Sequence, residues 1–411
     1  TPVLTVSLPP RLANTDVRRN NVALIAHTLA DAGMASRSEL AAHTGMAPGT
    51  VTSVVTDLLR SGVIEELAAP RGGRSAGRPQ IKLTLSARGF ALAVLTLDAD
   101  AATAVLADIT GQELRRVRLR HGRPLGDPEA ILDVCAAALG SILEDAAAQG
   151  RRIADLSVVV FAPIGGDPAV VLASTDLDWE RVDILNGLRA RIAGLPDAVL
   201  TSSAVELRAE LDGLEETDDI LYATSDTGIG GTIRTAGRFV TGARGMAGVI
   251  GHIPVDHGGA ACLCGQHGCL VTVAGPDIVL ASAGLDTMAA TVGLHTALDE
   301  FVARVRAGEP HAVAAWDDAR IWIVRALRVA AALTDPAVVI LGGYWADLID
   351  SIAQDWENEV WRTLPLPVFQ RPAFRAARFG RNAAIRGALL TARDRVLAEP
   401  LRIVGISAST Y

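Results

Sequence analysis

The chain has 411 residues, half of them hydrophobic and a fifth charged, as expected for an ordinary soluble globular protein with two or three full-sized cores. Its net charge of -8 excludes a wholly basic nucleic-acid binder, and no uninterrupted apolar run reaches membrane-spanning length. Four cysteines, three of them in one short stretch, make a poor disulfide framework; with no basic-then-apolar leader at the start, a reduced cytoplasmic setting is expected.

The charge is uneven. Residues 1–90 carry 10 Lys and Arg against 6 Asp and Glu, whereas the remainder carries 28 against 40. A basic head on an acidic body implies that only the head meets a polyanion. In NTDVRRNNVALIAHTLADAG, Val22, Ile25 and Leu29 recur at helical spacing and Gly33 closes the helix. Arg18 and Arg19 there either touch a phosphate backbone or merely solubilise the helix. Ser36 and Glu39 in SRSELAAHTG form a capping-box pattern, and Gly45 ends the turn.

In the following APGTVTSVVTDLLRSGVIEE, Val51, Val54, Val55, Leu58 and Leu59 make an apolar stripe. Thr50, Thr52, Ser53 and Thr56 present hydroxyls from the other faces. Two short helices joined by a glycine-containing turn read as a helix-turn-helix, the second helix entering the major groove by its N-terminal residues. Strands VIEEL and IKLTL flank a glycine-rich loop carrying Arg71, Arg74 and Arg78, which reads as a wing for phosphates or the minor groove. The candidate DNA contacts are Ser36, Arg37, Pro48, Thr50, Thr52, Ser53, Arg71, Arg74 and Arg78, and the implied partner is a double-stranded DNA operator. The competing reading is a small helical interaction domain with a solvated basic loop.

From residue 89 onward, strand-like runs (156–163, 197–202, 218–225, 336–343) alternate with long helical stretches, which implies mixed α/β layers. TGIGG at 227–231 follows a strand and reads equally well as an anion-binding turn or as a plain hairpin. Cys135 lies in a helical apolar run and reads as a core residue.

GHIPVDHGGAACLCGQHGC at 251–269 gathers Cys262, Cys264 and Cys269. Three thiolates and one imidazole suffice for tetrahedral Zn2+ with no open position, hence a structural metal rather than a hydrolytic one. His252, His257 and His267 are rivals for the fourth place, and a metal-free cysteine cluster is the plainer alternative.

The head, this cysteine element and DPAVVILGG at 335–343 together resemble the ROK family of repressors, unassigned reading frames and sugar kinases. The resemblance implies an α/β fold: an N-terminal winged helix-turn-helix (1–88) followed by a two-lobed actin-like or hexokinase-like body. Lobe 1 is expected at 89–200, completed by 390–411, and lobe 2 with the zinc loop at 201–389. It implies a homodimer or dimer of dimers. The family's metal ligands match His252, Cys262, Cys264 and Cys269 one for one.

The departures concern the sugar and phosphate sites. The family kinases' Asn-Asp pair, whose Asp is the general base, falls on Thr201 and Ser202, and a serine is no base without an activating partner. The family's sugar-binding glutamates fall on Val249 and Val271. DADAA at 98–102 lacks the glycines of the first phosphate motif. The resemblance with these losses implies a transcriptional repressor, not an enzyme. Thr201, Ser202, Val249, His252 and Val271 would line the effector cleft; either its effector is not an unmodified hexose, or the protein has no small effector. The alternative is a sugar kinase with a regulatory head.

Overall fold

The computed structural model describes residues 14–67, 81–202, 204–212, 218–360 and 372–404. The head comprises α1 (Asn14–Ala32), β1 (Ala35–Ser36), α2 (Arg37–Thr44), α3 (Pro48–Ser61), β2 (Ile64–Glu66) and β3 (Lys82–Leu85). The capping box forms: the Ser36 hydroxyl accepts from the Glu39 N–H at 3.3 Å, and the Glu39 carboxylate accepts from the Ser36 N–H at 2.7 Å. Pro48 opens α3, where its missing N–H costs nothing. Val51, Val54, Val55 and Leu58 are buried on one face of α3, with Leu59 half-buried at its edge. The strands pair in the order β1-β3-β2, giving a winged helix-turn-helix. The wing arginines Arg71, Arg74 and Arg78 lie outside the described residues.

The body has two lobes of like topology. The first contains β4 (Phe90–Leu97), β5 (Ala101–Asp108), β6 (Glu113–Arg120), α4 (Pro128–Ala148), β7 (Arg152–Val160), a small sheet β8 (Ile164–Gly165), β9 (Val170–Ser174) and β10 (Trp179–Val182), then α5 (Ile184–Arg191), β11 (Ala198–Ser202) and α6 (Ala204–Leu211). Its main sheet runs β11-β7-β4-β5-β6, with β4, β5 and β6 antiparallel and β7 and β11 added in parallel. Every residue of β4 and β5 is buried, as apolar strands covered on both faces must be.

The second lobe repeats the plan with β12 (Ile220–Ser225), β13 (Ile229–Thr235) and β14 (Arg238–Val240). Five helices follow: α7 (Leu270–Ala274), α8 (Pro276–Ser282), α9 (Asp286–Val292), α10 (Leu294–Arg306) and α11 (Pro310–Thr334). Then come β15 (Val338–Gly343), α12 (Tyr344–Asp347), α13 (Ile349–Val360) and β16 (Ala373–Ala376). Its sheet order is β14-β13-β12-β15-β16, again three antiparallel strands and two parallel additions. Among the described residues no single helix is long and apolar enough to cross a membrane.

The chain then returns to the first lobe. Helix α14 (Ala383–Ala398), which a boundary at residue 389 would cut, packs along its length on β4, β7 and α6. Arg395 binds Asp155 of β7 at 2.6 Å, and Arg208 of α6 binds Asp394 at 2.9 Å. A Cβ at Gly387 would lie 1.6 Å from the Val205 carbonyl oxygen, so only glycine permits this approach of α14 to α6. Ile25, Leu29 and Leu58 of the head, Leu92 and Val94 of β4, and Ile385 and Leu389 of α14 share one apolar cluster. The head is therefore seated on the body, with α1 resting against α14.

Candidate ligand cleft, metal centre and DNA-binding surface

In the head, Pro48 and Ser53 are exposed, Thr50 is half-buried, and the exposed Thr52 gives its hydroxyl to the Pro48 carbonyl at 2.9 Å. These positions form the outer face of the first turns of α3. Arg37 lies nearby, tied to Glu66 at 3.1 Å. Ser36 departs from the expected DNA contact: it is only 2% exposed and its hydroxyl is used in the α2 cap. Arg18 pairs with Asp57 of α3, which makes it a brace between two head helices.

The cysteine loop folds around one point. Ligand atoms of His252, Cys262, Cys264 and Cys269 all lie within 4.8 Å of one another. His252 Nδ1 is 3.4 Å from Cys262 Sγ, and Cys264 Sγ is 3.6 Å from Cys269 Sγ. These separations match the edges of a tetrahedron about zinc, roughly 3.7 Å for bonds near 2.3 Å, and are far beyond a disulfide bond. Burial lowers the His252 pKa, which favours the neutral imidazole a metal requires. His267 is exposed and turns its Nδ1 to the Gly259 carbonyl, and His257 is also exposed and outside the cluster. A Cβ on Gly268 would fall 1.7 Å from the Asp256 carbonyl oxygen, which fixes the glycine inside the loop. The four residues form a closed structural zinc site.

Between the lobes lies a cleft of about 760 Å³. All five expected residues line it: Thr201 and Ser202 from the end of β11, Val249 and His252 from the segment before the zinc loop, and Val271 from α7. His252 therefore belongs to both the metal centre and the cleft wall. TGIGG forms the turn from β12 into β13 and lines the same cleft.

The sequence reading missed an ionic network here. Asp98, Arg118, Asp176, Glu206, Asp226, His295 and Arg381 also face the cleft. In DADAA, Asp100 accepts from the Leu294 N–H at 3.2 Å and from Arg118 at 3.2 Å, so it fastens the first lobe to the start of α10. Arg123 reaches Asp277 at 2.9 Å and Arg120 the Thr291 carbonyl at 3.0 Å, adding two further cross-lobe ties. Arg381 binds Asp299 at 2.6 Å and stands 3.9 Å from Asp226.

Burial pushes Asp98 up to about 7, aided by the Asp100 carboxylate and opposed by Arg118. It pushes Asp226 and Asp176 up to about 6, and it lowers His295 to about 4, with Arg381 assisting. Glu206 is raised well above the carboxylate range by burial first, then by Asp226 and Glu210. The pattern of spacing that reveals a zinc loop has no counterpart for this network, whose members come from seven separated stretches of chain.

The ROK family model matches residues 95–395. An N-acetylmannosamine kinase of Salmonella heidelberg (strain SL476) is 28% identical over 313 residues, covering 72% of this chain and all of that one. A crystal structure of a ROK family transcriptional regulator, a homolog of the E. coli MLC protein, aligns over 95% of this chain and all of its own. Its TM-score is 0.72 at 21% identity. A ROK family glucokinase from Streptomyces griseus, solved with glucose and AMPPNP, aligns over 74% of this chain and 99% of its own, with a TM-score of 0.60 at 24% identity.

Proposed function

Since this chain belongs to the ROK family, we propose that it is a DNA-binding transcriptional regulator, a repressor, whose body has given up sugar phosphorylation and kept ligand sensing. The observation that carries this reading is the winged head built into the same apolar cluster as the body. A sugar kinase has no use for such a head, whereas a regulator needs it rigidly coupled. Ser202 at the position of the kinase base supports the loss of catalysis. Burial raises the pKa of Glu206, one turn further on, well above the carboxylate range and so disfavours the ionised form that a substitute base would need.

The route from cleft to DNA runs through helices in contact. Helix α6 follows Ser202 and carries Glu206 into the cleft; α14 packs on α6, and α1 of the head packs on α14. A ligand that favours one lobe arrangement would shift the population of heads set for DNA. Two copies would hold two heads over a near-palindromic operator. The zinc site stiffens the loop at the cleft wall, and the setting is a reduced cytoplasm.

Anisotropy titrations of the full chain against genomic fragments test this reading. Sequence-selective affinity that falls steeply with salt is expected; binding that is absent or salt-insensitive sinks it. The kinase alternative draws on the relative at 28% identity. Coupled assays with ATP and N-acetylmannosamine or glucose decide against it if turnover stays at background.

A further inference from the structure

The buried carboxyls of the cleft are not alike. Asp98 has Arg118 at 3.9 Å, Asp226 has Arg381 at 3.9 Å, and Asp176 lies in the field of Arg123. Glu210, on the same helix as Glu206, accepts from the backbone N–H groups of Arg378 at 3.0 Å and Phe379 at 3.2 Å. Glu206 is 4% exposed and lines the cleft, yet its Oε2 has no hydrogen-bond partner among the described residues. A buried carboxyl oxygen without a hydrogen-bond partner is expensive, and such groups persist where something else completes them.

From this we infer that the cleft binds a protonated amine with an apolar body, its ammonium group seated on Glu206 beside Asp226. The inference rests on reading the cleft as a sensor and names the chemistry sensed. An ammonium group supplies both the missing charge and the missing N–H donors. A bare divalent cation is a poorer match: among the described residues the metal-capable groupings are the zinc set and Asp98–Asp100–His295, and Glu206 is in neither. An anion would meet Asp98, Asp176 and Asp226 as well. A hexose would face Val249, Val271, Ile229 and Phe239, walls that suit an alkyl or aryl group better than hydroxyls.

The test is calorimetric titration of the full chain with phenethylamine and hexylamine, against 2-phenylethanol, 1-hexanol, glucose and MgCl2. The amines are expected to bind with the matched alcohols about tenfold weaker or worse. Glu206→Gln should cost the amines about thirtyfold and leave the alcohols unchanged. Glu206→Met should reproduce that loss, and Asp226→Asn should show a smaller one.

Equal binding of amine and alcohol, no detectable amine binding, preference for glucose or Mg2+, or unchanged amine affinity in Glu206→Gln would each overturn the inference. Failure of both Glu206 variants to fold would also overturn it, by making the residue structural. Because binding is read without DNA, these outcomes leave the repressor reading intact. Loss of that reading, in turn, would not abolish amine binding.

Discussion

The zinc loop and the cleft share His252 and are built by opposite rules. The loop draws its ligands from 18 consecutive residues, His252–Cys269, and fixes them by metal geometry. The cleft draws its charges from both lobes and fixes them by mutual pairing, with Glu206 left over. Where a site must hold a metal, residue identity is narrowly set. Where it must only distinguish one ligand from another, identity is free to change while the surrounding fold persists.

The sharpest way to break this contrast is to remove the metal. Cys262→Ala, or chelation of the wild type, should abolish bound zinc by elemental analysis and lower Tm by about 10 °C. The head should still fold, and the ligand response of DNA binding should be lost. An unchanged Tm and an unchanged response would show that the loop is not an architectural part of the body.

Gly387→Ala comes next. The new methyl meets the Val205 carbonyl, so α14 must lift from α6, at a cost of about 2 kcal/mol. Denaturant unfolding measures the cost, and DNA titration with and without ligand reads the coupling. Wild-type values in both would remove α14 from the route.

The third probe is pH. Asp98, Asp176 and Asp226 have folded pKa values raised above the unfolded value, so the folded state holds extra protons over that interval. Their contribution is complete below about pH 4 and is lost as pH rises through 6 and 7. Urea midpoints should therefore fall between pH 5 and pH 8, and Asp98→Asn should flatten the fall. Asp100 and Arg118 face Asp98, so a slope unchanged in Asp98→Asn would mean that the arginine keeps the pair ionised throughout.

The smallest effect is expected from His267→Ala. An exposed ring bonded only to a loop carbonyl should change stability by less than about 0.5 kcal/mol and zinc content not at all. A loss of zinc would reassign the fourth ligand.

What could be read from the sequence follows the same division. The head was legible because capping and turn signals are local: Ser36, Glu39 and Gly45 each act within a few residues. The zinc set was legible because thiolates in a glycine-rich loop have few other uses. Thr201, Ser202, Val249, His252 and Val271 were located through a family pattern, and the structure brings all five to one wall system. Glu206 escaped because a glutamate on a short helix looks solvated until tertiary packing buries it. The β8–β10 sheet escaped because its strands are brief and broken by turns. Ser36 was assigned to DNA because a cap and a groove contact want the same hydroxyl, and burial decides between them.

Helix α14 lies beneath the head yet is made long after it. During synthesis the winged domain emerges with part of its apolar underside bare, and waits for nearly the whole body before that surface is covered. A premature stop ahead of residue 383 would leave the head without its floor. The order of translation thus leaves the packing of the first-made domain incomplete until nearly the last helix has been added.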